Sequence, residues 1–128
     1  DGSFYQNEVI LQAIDGVKKR GTSLHLIGLL TEKSSHGSMD YPLAILKMAR
    51  STGLANVYLH MIFDGRSTEP GSAPVLLEKM ENLVEQIGIG RIVSGMGRGI
   101  ALDRDGNYQK TQRAYDALVF GKGKRVRI

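Results

Sequence analysis

The sequence predicts an α/β domain, a small parallel sheet flanked by helices. Segments with helical apolar spacing alternate with short, nearly continuous apolar runs of strand length, and a polar, turn-rich stretch follows each run. At 128 residues, with 41% hydrophobic and 23% charged side chains, the chain suits one domain with a single packed core. Neither a disordered nor a membrane composition fits these proportions.

Each element has a local reason. From Glu8 to Lys19 the residues Val9, Ile10, Ala13, Ile14 and Val17 recur at helical spacing, and Gly21 follows as a stop. Leu24 to Leu30 is an apolar run that reads as a strand covered on both faces, as in a parallel sheet. Thr31 to Ser38 is then a polar loop, and Asp40 is positioned to cap a helix carrying Leu43, Ile45, Leu46, Met48 and Ala49, with Gly53 as its stop. Val57 to Phe63 forms a second buried strand, and Asp64 to Gly71 a second polar loop. Pro74 suits the first turn of a third helix bearing Leu76, Leu77, Met80, Leu83, Val84 and Ile87, which Gly88 and Gly90 punctuate. Arg91 to Val93 is a short third strand, Ser94 to Asp105 a glycine-rich loop, and Tyr108 to Phe120 a last helix. Right-handed crossovers between parallel strands place all three strand-to-helix loops on one edge, where open α/β sheets bind ligands. Three strands make a small sheet with two exposed edges, so the native domain is expected to hold more sheet than this chain supplies.

The chain contains no cysteine, which excludes disulfides, thiolate metal sites and cysteine nucleophiles and fits a reducing cytoplasm. No run is apolar and long enough to span a bilayer, and a signal peptide is not expected. The formal charge of +4 suits an anionic partner. Part of that excess lies in residues 121–128, read as a basic tail or connecting segment rather than a nucleic-acid arm; neither nucleic acid nor membrane is an expected partner.

The three ligand-side loops concentrate cations and hydroxyls: Ser34, Ser35 and His36; Arg66, Ser67 and Thr68; Arg98 and Arg104. An arginine fork matches carboxylate and phosphate oxygens, and Gly95, Gly97 and Gly99 are read as letting backbone N–H groups approach a ligand. The ligand indicated is a small, multiply charged anion. Each residue also has a plainer reading. His36 suits a solvated loop, Arg66 and Arg98 suit pairs with Asp64 or Asp103, and Arg104 is flanked by the acids Asp103 and Asp105. His25 and His60 fall within strands and read as satisfied sheet residues. No histidine pair has metal-ligand spacing, and Gly95-Met96-Gly97-Arg98-Gly99 completes neither a dinucleotide fingerprint nor a P-loop.

Several of these motifs occur together in one order: Asp1-Gly2-Ser3-Phe4, His25 to Leu30 with His36 beyond, Asp64-Gly65-Arg66, Gly97-Arg98 with Ala101 to Asp105, and Ala114 to Leu118. In order and spacing they resemble the transferase domain of cofactor-independent phosphoglycerate mutases, from Asp1 to about Val119. The resemblance implies a partial transferase domain over residues 1–120. Its parent would interconvert 3-phosphoglycerate and 2-phosphoglycerate in glycolysis and gluconeogenesis, in the cytoplasm. It also implies that His36, Arg66, Arg98 and Arg104 contact substrate. A phosphoryl-accepting serine and two manganese ions would belong to a phosphatase-like domain of the same polypeptide. No catalytic or metal residue is assigned to this chain, which alone should be inactive.

The sequence departs from the family pattern in places. Thr31-Glu32-Lys33-Ser34-Ser35-His36-Gly37 stands where the family has Ser-Asp-Gly-Gly-Val-His-Ser, and Ser67 replaces an acid linked to substrate binding and proton transfer. Gly99-Ile100 replaces an aromatic pair. The alternative expectation is therefore a degenerate, noncatalytic domain that binds phosphometabolites.

Overall fold

The computed structural model describes residues 7–31, 38–64 and 71–126, and the expected alternation of helices and strands is present. Helix α1 (Glu8–Arg20) begins where the Asn7 side chain accepts from the N–H groups of Val9 and Ile10, and it stops at Gly21. Strand β1 (Leu24–Leu30), helix α2 (Asp40–Ser51), strand β2 (Val57–Phe63) and helix α3 (Ala73–Ile87) follow. Asp40 is the first residue of α2 and not its cap. Met39 holds the cap position, and the free N–H of Asp40 is met by the Ser38 hydroxyl at 3.1 Å.

Strand β3 runs from Arg91 to Gly97 rather than stopping at Val93, because it pairs with β2 beyond the apolar stretch. Gly95 is therefore a strand residue with a packing role: a Cβ there would lie 2.8 Å from Phe63 Cζ. The expected loop after it contains the one-turn helix α4 (Arg98–Ala101), and helix α5 (Tyr108–Phe120) ends the described structure's regular elements. Residues 121–126 are exposed and lie outside helix and strand. Among the described residues no helix is long and apolar enough to cross a membrane.

The three strands form one parallel sheet in the order β1-β2-β3. Strand side chains alternate between faces, so Leu24, Leu26 and Leu30 share a face with Val57, Leu59 and Met61. Against that face pack Ile14 and Val17 of α1, Leu43, Leu46 and Ala49 of α2, and Leu76, Met80, Val84 and Ile87 of α3, making one continuous core. The other face carries His25, Ile27 and Leu29 beside Tyr58, His60 and Ile62. Helix α4 packs there on β2 and β3 and α5 on β3, with no buried residue in either helix.

That arrangement corrects one expectation. Only β2 is covered on both faces along its length; β1 is an edge strand whose second face is buried only at Leu29, near its C-terminal end, while Ile27 is 58% exposed. An apolar run reports that a strand can be buried on both faces, whereas α4 and α5 pack mainly over β2 and β3 and leave most of that face of β1 open.

A register shift between Leu59 and His60 has a local effect on the second face. Leu59 is level with Ile92 but His60 is level with Ser94, so Val93 is the extra residue of a bulge. The bulge returns the Ser94 side chain to the face of His60.

Candidate functional site

The C-terminal ends of the strands open into a cleft of about 770 Å3 on the second face. Ile27 and Leu29 of β1 and Ile62 of β2 form its floor, while Arg98, Leu102, Asp103, Arg104, Asp105 and Lys110 supply its wall. An apolar floor beneath a charged wall can seat a small anion with its carbon skeleton down and its oxygens toward the cations.

Of the four expected substrate contacts, Arg98 and Arg104 lie in this cleft. His36 and Arg66, with Ser67 as the departing loop residue, lie outside the described residues. Arg98 and Asp64 follow β3 and β2 directly, and the parallel pairing of those strands brings the two side chains together. Arg98 donates to Asp64 Oδ1 at 2.8 Å, with the side chains 18% and 0% exposed. The pairing expected for an isolated surface arginine is thus present in a buried form, which holds the guanidinium in place at the cleft wall.

Arg104 behaves differently. Although acids flank it, its side chain makes no ion pair or hydrogen bond among the described residues, and Asp103 instead accepts from the Asn107 N–H at 2.9 Å, closing the turn into α5. Arg104 thus lines the cleft as an exposed side chain rather than as half of a local ion pair. Sequence reasoning missed Lys110. Its signal was present: Lys110, Ala114, Ala117 and Leu118 fall at i, i+4, i+7 and i+8, which places a lysine on the inward stripe of α5.

Just below the cleft floor, toward the strand N-termini, lies a polar chain. His25 Nδ1 and His60 Nε2 are 2.9 Å apart, and His60 Nδ1 is 2.6 Å from Ser94 Oγ. The two rings stack at 5.2 Å, and Tyr58 lies beside His25. Both histidines are satisfied sheet residues, as their strand positions suggest. The spacing admits one hydrogen between the rings, so one ring nitrogen donates and the other accepts.

Burial, and then the nearness of His25, lower the His60 pKa below its ordinary 6.5. The unfolded chain therefore takes up the proton first as pH falls. The stabilisation is complete above 6.5 and is lost as pH drops from there through the lower native value. His60→Gln should narrow the difference in urea midpoint between about pH 7.5 and about pH 5. An equal difference in both proteins would show that His60 does not govern it.

Among the described residues no group of three or more His, Asp or Glu side chains could hold a metal ion, so they do not fit the two manganese ions implied for the parent. A separate cleft of about 630 Å3 between α2 and α3 is lined by Leu43, Lys47, Arg50, Ser51, Leu83, Gln86 and Ile87. It lies on the helical side, away from the strand ends, and Arg50 is engaged there with the Ile87 carbonyl at 2.5 Å.

Known proteins match nearly all of the chain. The family model for the BPG-independent PGAM N-terminus covers residues 1–127. A 2,3-bisphosphoglycerate-independent phosphoglycerate mutase of Clostridium beijerinckii is 39% identical over 123 residues, which is 96% of this chain and 24% of that protein. The protein of the same name from Myxococcus xanthus is 43% identical over 122 residues, 95% of this chain and again 24% of the relative. Among solved structures, a phosphoglycerate mutase of Leishmania mexicana studied at low cobalt concentration gives a TM-score of 0.84 at 27% identity, covering 96% of this chain and 24% of that one. The chain thus spans about a quarter of its relatives' length, and over that span it belongs to the family of 2,3-bisphosphoglycerate-independent phosphoglycerate mutase N-termini.

Proposed function

We propose that this chain is part of the substrate-binding, transferase half of a mutase that interconverts 3-phosphoglycerate and 2-phosphoglycerate, with residues 1–120 in that domain and 121–128 a connecting tail. The observation that carries the reading is the placement of Arg98 and Arg104 in one cleft at the strand ends, within a segment that matches the family over residues 1–127. Arginine forks hold a carboxylate and offset phosphoryl charge, and confinement between half-reactions keeps glycerate from escaping before the phosphoryl group returns. His36 and Arg66 complete the contact set on this reading. The accepting serine and two manganese ions belong to a phosphatase-like domain elsewhere in the polypeptide, which works in the cytoplasm in glycolysis and gluconeogenesis.

The replacement of an acid by Ser67 and the loss of the glycine pair before His36 favour a second reading, a noncatalytic domain that binds phosphometabolites. One assay separates the two. Full-length protein supplied with manganese should convert 3-phosphoglycerate to 2-phosphoglycerate, and the purified 128-residue chain should not. Binding of 3-phosphoglycerate without turnover by the full-length protein would establish the second reading instead.

A further inference from the structure

We infer that Lys110 is a further substrate-binding residue, a cation that meets an anionic oxygen group of the ligand in the cleft that Arg98 and Arg104 also line. The inference rests on the mutase reading for the identity of the ligand, and on the cleft itself for the role of the residue.

Three observations carry it. Lys110 lines the same cleft as Arg98 and Arg104. It is the one half-buried residue among the first six of α5, where Tyr108, Gln109, Thr111, Gln112 and Arg113 are all exposed. Finally, its side chain makes no ion pair or hydrogen bond among the described residues, so its three donors are not committed to them.

Charge in the wall gives the residue its weight. Arg98 is held by the buried Asp64 through one donor, which offsets part of its charge and leaves the rest of its fork for a ligand. Among the described residues the other charges in the wall are Arg104 and Lys110 against Asp103 and Asp105. Among these side chains Lys110 brings the cations level with the acids and adds directed donors for an anion; without it the carboxylates outnumber the cation. Arg104 alone does not overcome two carboxylates. Lys110 reaches the cleft from a helix, whereas Arg104 comes from the preceding turn, so the two cations approach from different supports.

Equilibrium binding of 3-phosphoglycerate to the full-length protein tests this, with KM and kcat measured on the same variants. Lys110→Gln and Lys110→Met should each weaken binding about ten-fold, and Lys110→Arg should stay within about three-fold of wild type. Methionine keeps the apolar stem and removes only the charge, so a packing role would leave Lys110→Met near wild type and overturn the inference. The loss should appear in KM, and it should shrink as salt is raised. Unchanged binding by Lys110→Gln, alongside a clear loss in Arg104→Gln, would refute the role of Lys110 while leaving the mutase reading intact. Failure of the wild-type protein to bind 3-phosphoglycerate would end both.

Discussion

Arg98→Ala should destabilise the folded chain by about 3–5 kcal/mol, the loss typical when one partner of a buried ion pair is removed. The Asp64 carboxylate is 0% exposed, and Arg98 donates to it at 2.8 Å. Removing the guanidinium takes the charged donor away from Oδ1 of a carboxylate that stays buried. Arg98→Lys should recover part of the loss, because an ammonium supplies charge but not the fixed planar fork. Asp64→Asn, which removes the buried charge itself, should cost less than Arg98→Ala. Urea denaturation of the three variants reads the order directly. An Arg98→Ala protein within about 0.5 kcal/mol of wild type would mean that the pair contributes nothing net, as surface pairs often do. The same substitution should also abolish ligand binding, and the Asp64→Asn protein separates that effect from stability, since it retains the guanidinium.

Ser67→Asp should raise mutase turnover in the full-length protein on the proposed reading. Serine has no carboxylate with which to take a proton near neutral pH, and general acid or base assistance contributes roughly a hundred- to ten-thousand-fold. Only part of that range should return, because the loop around the residue departs from the family at other positions too. The gain should lie in kcat, with KM little changed. A rise confined to binding would assign position 67 to positioning. Unchanged or lower turnover in a correctly folded Ser67→Asp protein would mean that the site was rebuilt around serine. Glu32 is the acid of the first loop available to take the proton in that case, and a second carboxylate would then repel the anionic substrate.

The sequence by itself determined the alternation of helices and strands, since helical and strand-length apolar runs differ in period and glycine marks the helix ends at Gly21 and Gly88. It also placed Arg98 and Arg104 at the C-terminal edge of the sheet, because parallel pairing puts every strand-to-helix loop at the same end. The family was legible from ordered motifs for the same reason: loop residues at strand ends are spaced by the elements between them.

Other features depend on contacts distant in sequence and were decided only by the tertiary structure. The pairing of Arg98 with Asp64 requires β3 to lie beside β2, and the run Arg91 to Val93 contains no sign that the strand continues through Gly97. The meeting of His25, His60 and Ser94 requires both the strand order and a bulge that restores Ser94 to the face of His60. The sequence placed Lys110 on a helical stripe, but which stripe faces a cleft depends on where α5 comes to rest against the sheet. Local periodicity records what each segment can bury, and only the packed arrangement settles what it meets.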